Sequence, residues 1–134
     1  MYACPCCQQD QPMTKVDVIN VAEAVAKDKL TKDDVFKRTY LGHGRQSSVF
    51  VFQGHEGPFK KHIHVTHDEI GYVLNGSGSV TVGDETRPVR PGDVWVIPSN
   101  TPHSGEFGDP CDVLFISSPI DDPDNQDRVW LDEM

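Results

Sequence analysis

Between Val35 and Ser117 the chain breaks into eight strand-length segments punctuated by glycine and proline, and this rhythm limits the fold more than any other feature. The segments run Val35 to Leu41, Ser48 to Gln53, Lys60 to Val65, Glu69 to Leu74, Ser77 to Val82, Glu85 to Val89, Asp93 to Ile97 and Cys111 to Ser117. Short strands at this spacing predict an all-β sandwich or barrel. Gly83-Asp84, set between two alternating runs, predicts a tight hairpin, and Arg90-Pro91-Gly92 predicts another turn. Apolar runs such as Val49 to Phe52 and Val94 to Ile97 stop at four residues, far below the roughly 20 that span a bilayer. With 134 residues there is room for one core.

The flanks read differently. Residues 1–14 are expected to be a flexible tail, and residues 15–34 a lead-in. In that lead-in Val16 to Ile19 alternates like a strand, and Asn20 with Glu23 three residues on resembles a capping box that opens a helix over Val21 to Lys29. The barrel proper is placed at 35–118, and an acidic tail at 119–134. From Ser117 onward six acids (Asp121, Asp122, Asp124, Asp127, Asp132, Glu133) face only Arg128, which gives -5 of the net charge of -9. Val129, Trp130 and Leu131 inside this tail predict that part of it docks on the barrel or on a second subunit. The overall negative charge argues against nucleic acid or anionic membrane as a partner. Cys4, Cys6 and Cys7 crowd the N-terminus while Cys111 stands alone, so no disulfide framework is evident. The cluster reads as a reduced tail or as thiolate ligands lacking a fixed fourth partner. A cytoplasmic protein is expected.

Chemistry concentrates on one segment. Side chains alternate along a strand, so His62 and His64 leave the same face, close enough for both imidazoles to reach one ion. Five residues on, Glu69 opens the next strand, where its carboxylate could turn back to the same point. Gly76 closes that strand, and Gly92, Pro98, Asn100 and His103 follow with a spacing of their own. These residues resemble the two motifs of the cupin family, in which a Gly, a His-x-His pair, a Glu and a Gly precede a second set ending in Pro-x-Gly and His. The match runs from Gly57 to His103, with Asn100 in place of the usual Gly and four residues instead of five between Gly57 and His62.

The resemblance implies a single cupin jelly-roll barrel with a short N-terminal helix. It also implies one divalent transition metal held by His62, His64, Glu69 and His103. Three imidazoles and a carboxylate suit Fe, Mn, Ni, Co or Zn, with availability deciding among them. His67, out of phase with the pair, and His43 and His55, in glycine-flanked stretches, read as solvated loop residues. Strand parity turns Lys60 inward, either to hold an anionic substrate or to reach solvent from the strand end. Gly71 shares the inner face with Glu69 and predicts empty volume beside the metal, a bulge, or a close backbone approach. Trp95 and Phe107 read as core. No nucleophile motif or phosphate-binding loop is present. The expected function is a metal-dependent enzyme of dioxygenase or decarboxylase type acting on a small organic acid or oxygenated metabolite. The alternatives are a cupin that binds or senses a metabolite without turnover, and an interaction protein using its acidic tail. Small cupins pair through a sheet, so a homodimer is expected.

Overall fold

The structure is a computed structural model that describes residues 18–34, 36–54, 58–108, 111–122 and 126–131. Helix α1 (Val21–Lys27) precedes ten strands: β1 (Phe36–His43), β2 (Ser48–Gly54), β3 (Pro58–His64), β4 (Asp68–Asn75), β5 (Gly78–Val82), β6 (Glu85–Val89), β7 (Val94–Ile97), β8 (His103–Phe107), β9 (Cys111–Ser118) and β10 (Arg128–Trp130). They form two five-stranded sheets in the orders β1-β2-β9-β4-β7 and β10-β3-β8-β5-β6, antiparallel throughout. This is the jelly-roll arrangement that the sequence resemblance implied.

Alternation explains why these segments pair as they do. Along β9, Cys111, Val113, Phe115 and Ser117 are buried while the residues between them are partly exposed. Their inward faces meet Phe50 and Phe52 of β2, Val73 of β4, Val80 of β5, Val89 of β6 and Phe107 of β8 in one core between the sheets. Aromatic rings dominate it: Phe50 stacks on Phe115 at 5.4 Å, and Phe52 lies 5.7 Å from Phe107. Gly83, at φ 61°, takes the left-handed backbone that the two-residue β5–β6 hairpin needs.

The lead-in differs in part from expectation. Asn20 caps α1 by accepting from the Glu23 amide at 3.0 Å, but the helix ends at Lys27. Asp28 leaves it to meet the Lys37 ammonium at 2.9 Å and the Thr39 hydroxyl. Val18 and Ile19 are exposed and lie in no strand, because no ladder partner runs beside them among the described residues; Val16 and Asp17 lie outside those residues. The Cys4, Cys6 and Cys7 cluster and His55 also lie outside them.

Two strands lacked a sequence signal. β8, His-Ser-Gly-Glu-Phe, carries a single large apolar residue, and β10 sits within the acidic tail. β10 pairs with the ligand-bearing strand β3, placing Arg128 opposite His64 and Trp130 opposite His62. Among the described residues no helix is long and apolar enough to cross a membrane.

Candidate metal centre

Three of the four expected donors come from one sheet. His62 and His64 project from β3, and His103 enters from β8 directly opposite His62 in the ladder. Glu69 reaches across from β4 in the other sheet. All four are buried, and their side chains converge between the sheets. Glu69 Oε2 lies 3.6 Å from His64 Nε2, and Oε1 lies 3.7 Å from His103 Nε2. One ring nitrogen from each of His62, His64 and His103 falls within 4.8 Å of the others.

The backbone fixes how two of these rings face. His62 Nδ1 lies 2.7 Å from the Lys60 carbonyl and His103 Nδ1 lies 3.0 Å from the Thr101 carbonyl. Each Nδ1–H therefore donates to main chain, which leaves the Nε2 lone pair for an ion. His103 Nε2 is buried with no hydrogen-bond partner among the described residues. A buried lone pair of this kind is costly unless something occupies it. Neutral imidazole nitrogens and a carboxylate are donors that would suit a divalent transition ion, which His62, His64, His103 and Glu69 would hold. Asn100, at φ 63°, supplies the left-handed turn ahead of β8, and its amide donates to the His64 carbonyl at 2.6 Å.

Burial sets the electrostatics of the metal-free cluster. Desolvation pulls His62 down to about 4 and His64 to about 3, and lowers His103 as well. Glu69 is pushed up to about 7, first by its own burial and then by the charge of Asp121. Neutral imidazoles are the form that ligates.

The structure decides between the alternatives left open for Lys60 and Gly71, and it overturns the reading of His67. Lys60 is exposed and does not line the pocket, because β3 carries one extra residue between Phe59 and His62 relative to β8, and this bulge breaks the parity that turned Lys60 inward. Its contribution is the carbonyl that orients His62. Gly71 does not leave empty volume: a Cβ there would stand 2.4 Å from Cζ2 of Trp95, whose indole fills the space. His67 is not solvated. It is 1% exposed, its ring lies 4.2 Å from that of His64, and its Nδ1 meets the Asp127 carboxylate at 3.1 Å. Asp127 Oδ2 also accepts from the Thr66 amide and hydroxyl, both at 2.7 Å, which clamps the residue before β10 against the β3–β4 turn. His43 ends β1, half-buried.

The pocket around the donors has a volume of about 50 Å³ and walls of Phe50, Phe52, Trp95, Phe107 and Phe115. Its polar wall was missed by sequence reasoning. Arg38 lies 2.7 Å from Asp121 and 4.1 Å over the Phe50 ring. Arg128, also lining the pocket, lies 4.6 Å over the ring of Trp130, which is itself 5.1 Å from the His62 ring. A signal for Arg128 existed in the lone basic residue among tail acids, two places from a tryptophan. Arg38 and Asp121, 83 positions apart, had none.

Comparison with known proteins bears on the same residues. The Cupin domain family (Cupin_2) matches residues 48–117, just over half of the chain. The uncharacterized protein MJ1618 of Methanocaldococcus jannaschii is 42% identical over 60 residues, 43% of this chain, so the match spans about half (48%) of that relative's length. KdgF from Halomonas sp. is 27% identical and superposes with a TM-score of 0.62, covering 67% of this chain and 84% of that one. A double-stranded β-helix protein from Klebsiella pneumoniae shares the fold with a TM-score of 0.69 at 15% identity, covering 89% of this chain and 100% of that one. From the strand order and the family match together, the chain belongs to the cupin superfamily.

Proposed function

We propose that this protein holds one divalent transition metal on His62, His64, Glu69 and His103 and acts as a metal-dependent enzyme of dioxygenase or decarboxylase type on a small organic acid. The observation that carries the reading is the buried Nε2 of His103, which has no hydrogen-bond partner among the described residues and faces the Glu69 carboxylate. A bound ion would supply Lewis-acid polarisation to a ligand's oxygens. The chain's own residues do the rest. The Lys60 and Thr101 carbonyls orient two imidazoles, Glu69 brings the negative charge, and the aromatic walls exclude bulk water.

The test is metal analysis of protein from its native source, followed by dioxygen uptake and carbon dioxide release across a panel of small acids. Stoichiometric metal with metal-dependent turnover supports the enzyme. Stoichiometric metal with ligand-induced thermal shift and no turnover would make it a metabolite-binding cupin. Protein without metal after purification in the absence of chelators would defeat the reading.

We also propose a homodimer through the outer face of the β1-β2-β9-β4-β7 sheet. Tyr72 stands opposite Val94 and Ile70 opposite Val96 in the β4–β7 ladder, with Leu114 and Ile116 beside them on β9. Tyr72, Val94 and Val96 are 41%, 62% and 60% exposed, an apolar grid suited to a second copy. A monomer by light scattering at micromolar concentration would remove this proposal.

A further inference from the structure

We infer that Arg128 is the carboxylate-docking group of the pocket, selecting a ligand that carries an anionic group beyond the atoms facing the histidine cluster. The inference rests on the metal centre proposed above.

It follows from accounting for every charge at the pocket. Arg38 is neutralised by Asp121 at 2.7 Å and packed on Phe50, so that pair offers no net charge to a ligand. Asp127 is held by the Thr66 amide, the Thr66 hydroxyl and the His67 ring. Glu69 faces the imidazoles. Arg128 remains. It lines the pocket, yet among the described residues its guanidinium makes no direct hydrogen bond or ion pair; it lies over the face of Trp130, with the charges of Asp121, Glu69 and Asp127 acting on it only from a distance. Stacking uses the flat face of a guanidinium and leaves its edge donors open, and those donors form the planar fork that matches a carboxylate.

Position supports the same role. Arg128 stands opposite His64 in the β10–β3 ladder, so its Cα is fixed one strand away from two proposed ligands. The Trp130 ring that carries the guanidinium rests 5.1 Å from the His62 ring. The side chain is therefore ordered before a ligand arrives, which lowers the entropy cost of docking. With a divalent ion on neutral imidazoles and one glutamate, ion and Arg128 together leave the cavity positive. That balance favours a mono- or dianion over its neutral analogue.

The experiment uses the full chain loaded with Co(II) and two probes of one skeleton, malonate and malonamide, titrated by isothermal calorimetry. The parent should prefer malonate. Arg128→Gln should weaken malonate by about tenfold or more, leave malonamide unchanged and retain the parent's Co(II) stoichiometry. Arg128→Lys, which keeps the charge without the fork, should fall between the two; should the Gln variant not fold, its weaker malonate binding than the parent's carries the test. Equal malonate affinity in parent and variants would overturn the inference, as would a parent that does not distinguish the probes. Failure of the parent to take up Co(II) would defeat the metal-centre reading alone, because malonate binding to the metal-free chain is then compared across the same variants.

Discussion

Substituting Gly71 by alanine tests whether the Trp95 indole occupies the space beside the donors. The added Cβ would stand 2.4 and 2.5 Å from Cζ2 and Cε2 of Trp95 and 2.9 Å from its Nε1. Carbon atoms in ordinary contact sit about 3.5–4.0 Å apart, so the indole must retreat by roughly 1 Å or more. It is packed against Phe107 and Phe115, at 6.4 and 6.2 Å between ring centroids, and these rings belong to the core. Overpacking of this kind costs about 1–3 kcal/mol. Relief of glycine's backbone freedom in mid-strand returns about 0.5–1 kcal/mol, so about 1–1.5 kcal/mol of net loss is expected. Unfolding entropy near 2.1 cal/mol/K per residue over 134 residues converts this to a Tm lower by about 4–5 °C. Scanning calorimetry of Gly71→Ala measures it directly, and tryptophan fluorescence reports the displaced indole. In a Trp95→Leu background the same substitution should cost nothing, since the clashing atoms are gone. A Tm unchanged or raised in the single variant, or an equal loss in both backgrounds, would refute the packing argument.

Other outcomes follow from the donor cluster and its support. Glu69→Gln keeps the shape and removes the anionic donor, so metal affinity should fall by more than about 100-fold, beyond what losing an outer partner costs; metal content after dialysis equal to the parent's would show that Glu69 is no ligand. Metal-free protein should lose stability in acid. His62, His64 and His103 have folded values depressed below their ordinary 6.5, so their contribution is present above that value and drains as pH falls toward about 4 and about 3. Glu69, raised to about 7, opposes them between 7 and 4.5, but one group against three leaves a net loss. A urea midpoint that rises from pH 7.5 to pH 5 contradicts this sign. Asp127→Ala should loosen β10: the Leu131 amide, bonded to the Lys61 carbonyl at 3.0 Å, should exchange about 30-fold faster, the equivalent of about 2 kcal/mol of lost charged hydrogen bonds. Unaltered exchange there would show that the Asp127 clamp does not secure the strand.

Most barrel strands, and the convergence of His62, His64, Glu69 and His103, were legible because each rests on a local pattern. Alternation marked β9, glycine-bounded turns marked β5 and β6, and the His-x-His spacing with Glu69 survived because strand parity holds from His62 onward. Parity failed two residues earlier, since a bulge depends on the register with β8, and β8 itself was hidden by its polar, glycine-containing composition. Gly71 was placed on the correct face, but its occupant comes from the neighbouring strand, opposite it in the β4–β7 ladder. His67 was misread as solvated because its neighbours in space, the His64 ring and an Asp127 carboxylate 60 residues away, are set by tertiary packing. Long-range pairs of this kind leave no trace in a local window.

The pairing of β10 with β3 also determines which backbone the molecule shows to other proteins. β3 has β8 on one side and, among the described residues, the short run Asp127 to Leu131 on the other, with Arg128 to Trp130 forming the paired strand. Were β10 to peel away, the strand carrying His62 and His64 would become a sheet edge, with a row of open amides and carbonyls ready to accept an extended peptide. The segment that walls the pocket thus doubles as a guard against strand addition. An edge closed by so few residues is protected only while its side-chain clamp holds, so the integrity of the cavity and resistance to aggregation are linked through the same short stretch of chain.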